Sequence, residues 1–341
     1  MKTYTLPALF FICLLGLFSL KNSKTDVPYY VPKHFPKPVY YFKNNPLSRE
    51  KYELGRMLFY DPMLSRDSTI SCSTCHSQFS GFTHTDHPTS HGIDDKIGRR
   101  NSPVIINMAW SYFFNWDGGV DFLNRHSINP LTDKKEMDNS IEEILRRLNE
   151  NDKYKRLFYV AFDDSIIDTP MLVKALASFT VSLVSADSKY DRVKKGLETF
   201  TEQEKNGYTL FKEHCASCHK EPLFANRDFR KNGLELDKDL KDYGRMEITG
   251  NKTDSLSFKV PTLRNVEFSF PYMHDGRFKK LSDVMKHYAS IHQLPKEKVS
   301  KELQNLGALD DVAQKDLIAF LKTLTDKAFL YNPDFRPPRT N

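Results

Sequence analysis

The sequence has little net charge, few cysteines and a single long apolar run. Its 341 residues carry a formal net charge of +6, and three of the positive charges lie in the N-terminal segment 1–24. The remaining balance of about +3 is too weak to indicate a nucleic-acid-binding protein. Hydrophobic residues make up 39% of the chain and charged residues 28%. This composition excludes bulk disorder, and the length is sufficient for two domains of ordinary size.

The single long apolar run extends from Leu6 to Leu20 and is flanked by lysines. It is shorter than a typical membrane span and has the form of the central part of a signal peptide. We therefore predict that residues 1–24 are a signal peptide, or an N-terminal anchor if they are not cleaved, and that the protein is exported to the periplasm. Cys13 lies inside the run rather than at its end, which argues against lipid attachment.

The other four cysteines form two pairs with the same spacing. Both pairs follow the pattern C-x-x-C-H, as Cys72-Ser-Thr-Cys75-His76 and Cys215-Ala-Ser-Cys218-His219. In this pattern two thiols add to the vinyl groups of one haem, and the histidine ligates the iron. A zinc ribbon does not need a histidine after each pair, and thioredoxin-like pairs need a βαβ context that this sequence does not indicate. We therefore predict two covalently attached haem c groups.

The rest of the sequence predicts helices and loops. Apolar residues recur at helical spacing over 172–183 and 317–324, and Ser140 and Thr201 open capping boxes. Alternating strand patterns are scarce. We therefore predict a mainly α protein made of two c-type cytochrome domains, each built around one haem.

The haem motifs also suggest how the chain is divided. An extended lead-in is expected at 25–45, and an N-terminal haem domain at 46–190. A C-terminal haem domain follows at 191–331, and a loose tail at 332–341 ends the chain.

The residues alone do not choose the second axial ligand of either iron. Near the first motif the candidates are His84, His87 and His91. Near the second motif they are His274, His287, His292, Met273, Met285 and Tyr288. An open or displaceable position suits catalysis, whereas a closed one suits electron transfer.

Short segments spread over residues 45–325 share the motifs of one known family. They include Leu54-Gly-Arg-Met-Leu-Phe-Tyr-Asp-Pro-Met-Leu-Ser65, Gly81-Phe-Thr83, Arg100-Asn-Ser-Pro103, Phe114-Asn-Trp-Asp-Gly118, Asn129-Pro130, Glu136-Met137, Thr201–Phe211, Pro261-Thr-Leu-Arg-Asn265 and Pro271-Tyr-Met-His-Asp-Gly-Arg-Phe278. Together with the two haem motifs, these segments resemble the bacterial dihaem cytochrome c peroxidases. That family includes the methylamine-utilisation branch, which oxidises tryptophans of a partner protein.

The resemblance implies a division of labour between the two haems. The N-terminal haem would react with hydrogen peroxide, and the C-terminal haem would relay electrons from reduced cytochrome c or a similar small donor protein. Glu136 matches the catalytic carboxylate of the family, and Trp116 matches the tryptophan that lies between the haems. Dimers are common in the family, so a homodimer is compatible with the resemblance.

The resemblance also implies further metal ligands. Asn101, Ser269 and Pro271 match the positions of a calcium site between the domains. His91 matches the displaceable histidine of the N-terminal haem, with His84 and His87 as alternatives because the loop after His91 is longer than usual.

Three positions depart from the family pattern. Where classical members place a methionine ligand of the second haem, this chain has Tyr288, as in the tryptophan-oxidising branch; Met285 and His287 compete for the role. His126 stands where the family usually has glutamine, and Gly119 where it has arginine. The sequence therefore predicts a peroxidase, with a protein-modifying oxidase or a non-enzymatic dihaem electron carrier as alternatives.

Overall fold

The computed structural model describes residues 27–307 and 309–338, and this part of the chain is mainly helical. The helices are α1 (Arg49–Tyr60), α2 (Cys72–Cys75), α3 (Leu123–His126), α4 (Ile128–Thr132), α5 (Ile141–Glu150), α6 (Asp152–Phe162), α7 (Thr169–Val181), α8 (Lys189–Lys194), α9 (Glu202–His214), α10 (Met246–Thr249), α11 (Leu281–Ser290), α12 (Asp311–Lys322) and α13 (Lys327–Leu330). Two short antiparallel strands are β1 (Phe229–Arg230) and β2 (Phe258–Lys259). The predicted mainly α class is confirmed. The predicted leader lies outside the described residues, and no described helix has both the length and the apolarity to cross a membrane.

The predicted helix starts are present. The Thr201 hydroxyl accepts a hydrogen bond from the amide of Glu204 (3.3 Å), and the Glu204 carboxylate accepts one from the amide of Thr201 (2.8 Å). The Ser140 hydroxyl accepts a hydrogen bond from the amide of Glu143 (3.1 Å), but the capping box predicted there is incomplete, because the amide of Ser140 donates to Oδ1 of Asn139 (2.9 Å). These bonds satisfy amides at the first turns of α9 and α5 that have no partner within the helix.

Each half of the chain contains a pair of crossing helices that meet at a glycine. A Cβ atom on Gly55 of α1 would lie 1.9 Å from the carbonyl oxygen of Ala175 in α7. A Cβ atom on Gly207 of α9 would lie 1.9 Å from the carbonyl oxygen of Asp316 in α12. Only glycine permits so close an approach of two helix backbones. The same packing device therefore recurs in both halves.

A hydrophobic core surrounds each helix pair. In the first core the rings of Phe59 and Phe179 lie 5.1 Å apart, and in the second the rings of Phe211 and Phe320 lie 5.0 Å apart. All four rings are almost completely buried. Burying side chains of this size supplies much of the stability of each half.

The connection between the two cores is held by buried polar contacts. The Asp326 carboxylate accepts hydrogen bonds from the Ser185 hydroxyl (3.0 Å) and from the amides of Ala186 (2.9 Å) and Asp187 (3.0 Å). A few residues later, Asp191 forms a bidentate ion pair with Arg264, with both N–O distances at 2.8 Å. Both side chains of this pair are fully buried.

The lead-in, predicted as extended, packs against both halves. The ring of Phe35 lies in the first core, and its centroid is 4.9 Å from the guanidinium carbon of Arg264. Nε2 of His34 lies 3.0 Å from a carboxylate oxygen of Asp191. The lead-in therefore contacts the buried ion pair near the connection.

The C-terminal residues return to the first core. Phe335 is 2% exposed and packs with the first core, as does α13. The hydroxyl of Tyr52 donates to the carbonyl oxygen of Asp334 (2.6 Å), and that of Tyr60 to the carbonyl oxygen of Phe335 (2.7 Å). The predicted loose tail therefore does not describe residues 332–335, because their apolar side chain and backbone are bound to α1 and its core. The helix α13, which the sequence places in the C-terminal domain, also packs on the first core.

Candidate haem sites and the cavity between them

Both C-x-x-C-H motifs form a helical turn. The amide of His76 donates to the carbonyl oxygen of Cys72 (3.0 Å), and the amide of His219 donates to that of Cys215 (2.9 Å). The first turn is α2, and the second follows the end of α9. The same backbone hydrogen bond therefore occurs in both motifs, and it places each histidine beside its own pair of cysteines.

The histidines of both motifs are oriented by backbone carbonyls. Nδ1 of His76 donates to the carbonyl oxygen of Phe82 (2.7 Å), and Nδ1 of His219 lies 3.1 Å from the carbonyl oxygens of both Phe224 and Pro261. Because a carbonyl can only accept, Nδ1 carries the proton and Nε2 is left as the metal-binding nitrogen. Burial lowers the pKa of His76 to about 4 and also lowers that of His219, so both rings are neutral, as iron ligation requires.

The two carbonyl-bearing phenylalanines are equivalent. Phe82 and Phe224 are fully buried and have positive φ angles of 57° and 52°. Phe82 lies 6.0 Å from Phe59, and Phe224 lies 5.5 Å from Phe211, measured between ring centroids. The left-handed backbone turns each carbonyl toward the histidine while the ring anchors the turn in the core. A bulky residue at positive φ is strained, and such strain is typical of functional sites.

None of the four motif cysteines is paired in a disulfide. Burial raises the pKa of Cys72 and of Cys215 to about 12, and that of Cys75 to about 11. Thiols that stay protonated in this way are poor redox pairs, which argues against a thioredoxin-like role. Two half-buried cysteines beside a neutral histidine with a free Nε2 fit covalent haem attachment, so the geometry of both motifs is suitable for haem c.

The first motif lies beside the segments of Glu136 and His91. The backbone carbonyl of His91 is 3.4 Å from Sγ of Cys75, and the amide of Ile93 donates to the carbonyl oxygen of Glu136 (2.8 Å). A Cβ atom on Gly92 would lie 2.1 Å from the backbone of Lys135, so glycine permits this close approach. The structure therefore brings the proposed catalytic carboxylate and the His91 loop to the first haem motif.

Glu136 has the electrostatics of a proton carrier. Burial raises the pKa of its carboxyl to about 7, and the charge of Asp133 adds to the increase. A carboxyl with a pKa in this range can both accept and release a proton near neutral pH.

The three candidate histidines near the first motif have different surroundings. The His91 ring stacks on the His87 ring, with centroids 4.0 Å apart. His84 is buried, its Nε2 lies 3.3 Å from the carbonyl oxygen of Thr89, and its Nδ1 has no hydrogen-bond partner in the described part of the chain. Of the three, His91 is the one whose backbone carbonyl contacts Cys75.

A cavity of ≈ 630 Å³ opens at the second motif. Its walls include both cysteines and the histidine of that motif, together with Tyr288, Met285 and Met273. The cavity also reaches Trp116, Asn101 and His126, which come from the first half. Its size and mainly apolar walls are typical of a ligand or cofactor site.

Tyr288 is better placed as an iron ligand than His287. Burial raises the pKa of the Tyr288 phenol, and the residue lies within electrostatic range of Cys215 and Cys218. A metal cation bound at the oxygen would replace that proton. Nε2 of His287 is already committed, at 2.8 Å from the carbonyl oxygen of Asn232. Met285 lines the same cavity and is 7% exposed.

The residues assigned to calcium and to electron transfer adjoin each other. Nε1 of Trp116 donates to the carbonyl oxygen of Asn101 (2.8 Å). The Asn101 side chain donates through Nδ2 to Pro88 (3.0 Å), which leaves its Oδ1 for another partner. Ser269 and Pro271 line the same cavity as Asn101. Oxygen ligands from such neutral groups suit a calcium ion.

Two departures from the family pattern also lie here. Burial, with smaller contributions from the nearby His76 and Lys259, lowers the pKa of His126 to about 4. His126 therefore lies between the first motif and the cavity and stays neutral. Beside Gly119, Nη1 of Arg245 donates to the carbonyl oxygens of Asp117 (2.9 Å) and Gly118 (3.0 Å). Arg245, from the second half, thus binds the loop in which members of the family usually have an arginine.

Sequence reasoning missed several residues of the site. Phe224 carries the orienting carbonyl of the second histidine, and its only sequence signal is its place shortly after the haem motif. Lys259, on β2, lines the cavity, and a lone lysine between apolar residues gave no signal. Asn232 contacts Met273, Tyr288 and His287, although nothing in its sequence context marks it.

Comparison with known proteins agrees with this geometry. The family described as di-haem cytochrome c peroxidase matches residues 49–199. The methylamine utilization protein MauG of Methylophilus methylotrophus is 33% identical over 319 residues, which cover 90% of each chain. The cytochrome c551 peroxidase of Nitrosomonas europaea is 32% identical over 86% of this chain and 84% of its own.

Solved structures give the same result. The crystal structure of a MauG-like protein associated with microbial copper homeostasis is 31% identical, with a TM-score of 0.82, over 90% of this chain and 98% of the other. The dihaem peroxidase BthA from Burkholderia thailandensis shares the fold, with a TM-score of 0.73 at 21% identity, over 87% of this chain and 92% of its own. The predicted resemblance is confirmed, and the chain belongs to the di-haem cytochrome c peroxidase family.

Proposed function

We propose that this protein is a periplasmic cytochrome c peroxidase with two haem c groups. One hydrogen peroxide, two protons and two electrons from reduced cytochrome c or a similar donor would yield two water molecules. Cys72 and Cys75 would hold the first haem, and Cys215 and Cys218 the second. When bound, the first haem supplies an iron that accepts peroxide and takes up its oxidising equivalents.

The observation that carries this proposal is the position and chemistry of Glu136. Its segment is bonded to the His91 loop beside Cys75, and its pKa is raised to about 7 by burial. Breaking the O–O bond requires that a proton move from the inner to the outer peroxide oxygen, so that water can leave. A carboxylate beside the peroxide can take that proton and return it.

Other residues of this chain have supporting roles in the proposal. His76 is the iron ligand of the first haem, oriented by Phe82, and His219 is that of the second, oriented by Phe224. Trp116 lies on the cavity wall on the side of the first half, where an aromatic ring can shorten the path for electrons. Calcium at Asn101, Ser269 and Pro271 would fix the chain around Trp116.

The Glu136→Gln variant tests the proposal. Removal of the proton acceptor should lower peroxide turnover by at least about 10²-fold while both haems remain attached. Glu142→Gln, at an exposed position of α5, is the matched control and should turn over normally. Steady-state oxidation of reduced cytochrome c by peroxide measures both, and near-normal turnover of Glu136→Gln would overturn the role given to this carboxylate.

A second function is favoured by Tyr288. The tyrosine lines the second haem cavity near both cysteines of the motif, where classical peroxidases carry methionine. An anionic oxygen ligand stabilises ferric iron and lowers the reduction potential. Such a site suits an oxidase that modifies a partner protein, as in the tryptophan-oxidising branch.

The two functions differ in how they use peroxide. A peroxidase oxidises reduced cytochrome c rapidly, and without donor its peroxide-induced optical change soon decays. A protein-modifying oxidase turns over small donors slowly and retains that optical change. Stopped-flow spectra with and without reduced cytochrome c therefore separate them.

A further inference from the structure

Lys259 places an ammonium group in the cavity at the second haem motif, and no described residue forms an ion pair with it. It lies on β2, where its amide donates to the carbonyl oxygen of Trp116 (2.8 Å), and its side chain lines the cavity. Burial lowers the pKa of the ammonium to about 8, and within the described residues no carboxylate offsets this effect. An ammonium group in a mainly apolar cavity without an anion is costly, so the site suits a negative partner that the described residues do not supply.

The other cations on the cavity wall do not share this property. Arg230 is already bound to Asp228 and Glu302, both at 2.9 Å. Arg227 and Lys220 are exposed to solvent, where water satisfies their charge. Lys259 is therefore the cavity cation whose charge is left for a ligand.

The ligand must be an anion that fits the same cavity. Haem carries two propionate carboxylates, and the cavity that contains Lys259 also contains Cys215, Cys218 and His219. Cys72 and Cys75 do not line it. We propose that Lys259 binds a propionate of the haem attached to Cys215 and Cys218, next to Trp116.

This contact positions the haem and raises its reduction potential. Oxidation adds positive charge at the iron, and a nearby ammonium group disfavours that charge in a site of low dielectric constant. The inference rests on haem attachment at the second motif but not on peroxide turnover. It can therefore fail or succeed independently of the peroxidase proposal.

Redox titration of the haem-loaded protein tests the inference. In Lys259→Met the ferrous-to-ferric ratio of the second haem, at a fixed solution potential, should fall about tenfold, which is a shift of about 59 mV. Lys259→Arg should keep the wild-type ratio because it keeps the charge. Lys252→Met removes a charge from an exposed position and is the matched control, with no shift expected.

Three outcomes would overturn the inference. The first is an unchanged reduction potential of the second haem in Lys259→Met. The second is a change of potential confined to the first haem, and the third is an equal change of potential in Lys252→Met. A crystal structure of the wild-type protein with both haems decides the point even if the variants do not fold. It should show Nζ of Lys259 within salt-bridge distance of a propionate oxygen of the second haem, and a longer separation or a different anion would contradict the inference.

Discussion

The indole of Trp116 is hydrogen-bonded to the backbone of Asn101, with Nε1 donating to the carbonyl oxygen at 2.8 Å. The amide of Asn101 in turn donates to the carbonyl oxygen of His274 in the second half (2.7 Å). Arg100, the preceding residue, forms a bidentate ion pair with Asp242, at 2.6 and 2.7 Å. Trp116, the proposed electron-transfer residue, is thus hydrogen-bonded to the segment of Arg100 and Asn101, which contacts the second half.

Trp116→Phe should slow turnover without loss of haem. The variant loses the hydrogen bond to Asn101 and much of the ring, so electron transfer between the haems should fall on the order of tenfold. Trp110→Phe is a suitable control, because Trp110 also donates to a backbone carbonyl (Pro36, 2.7 Å) but packs in the first core. The control should lose about 1 kcal/mol of stability and keep its rate. Turnover numbers normalised to haem content compare the two variants, and equal rates for both would contradict the role of Trp116.

Calcium should stabilise the protein through Asn101. At calcium concentrations a hundredfold above the dissociation constant, binding adds about 2.7 kcal/mol to the free energy of unfolding. Thermal unfolding with calcium, with magnesium and with chelator measures this effect. The wild type should be stabilised by calcium, and Asn101→Ala should lose that response. A calcium response that persists in Asn101→Ala would place the ion elsewhere.

The pH dependence of peroxide reaction should follow Glu136. Its ionised form takes the proton, and burial raises the pKa of its carboxyl to about 7. The kcat/KM for peroxide should therefore rise as the pH increases through about 7 and then level off. Measurements of kcat/KM from acidic to alkaline pH on the wild type and Glu136→Gln test this. The variant should not show the increase near pH 7. A wild-type profile that is flat across this range would be inconsistent with Glu136 as the base.

Substitution of Tyr288 should change the reduction potential of the second haem. Tyr288→Met should raise its reduction potential, because a thioether stabilises ferrous iron better than an anionic oxygen does. Met285→Leu, which alters a neighbouring wall of the cavity, should leave the potential and the ferric spectrum unchanged. If Met285→Leu instead changes the ligand spectrum and Tyr288→Met does not, the methionine is the ligand.

The buried pair of Arg264 and Asp191 should contribute to acid stability. Burial alone would raise the pKa of Asp191, but the hydrogen bonds and charge of Arg264 lower it to about 2. A depressed carboxyl pKa stabilises the fold above the ordinary value for aspartate, and this stability is lost as the pH falls toward 2. Asp191→Asn should cost about 3–5 kcal/mol at neutral pH, because Arg264 is left buried and unpaired.

Urea unfolding of the wild type and Asp191→Asn at several pH values measures that cost. The difference between the two proteins should narrow at low pH, since protonation of Asp191 has the same effect as the substitution. If the difference in free energy of unfolding is independent of pH, the charge of the Asp191 carboxylate does not stabilise the fold.

Much of this site could be predicted from sequence because covalent chemistry fixes its spacing. The C-x-x-C-H motifs must hold thiols and histidine on one turn, and the capping residues of α5 and α9 act within their own helices. The equivalence of the two halves could not be predicted. Gly55 in the first half is equivalent to Gly207 in the second, and Phe82 is equivalent to Phe224. The two members of each pair lie at different sequence distances from their haem motifs, so no common spacing marks them.

Long-range contacts account for the remaining differences. Residues 332–335 have the composition of a loose end, but the apolar ring of Phe335 finds a place in a core built from the start of the chain. Lys259 is an ordinary lysine in sequence, and its burial becomes evident only when β2 pairs beside Trp116. A sequence pattern reports neighbours along the chain, so contacts of this kind have no local signal.

The most direct test of the account is the reaction of the half-reduced, haem-loaded protein with peroxide and reduced cytochrome c, followed by optical and EPR spectra. We predict a high-spin haem with an open coordination site and rapid oxidation of two cytochrome c molecules for each peroxide. If both irons remain six-coordinate and peroxide oxidises no donor, the protein is an electron carrier and the roles assigned to Glu136 and Trp116 are wrong.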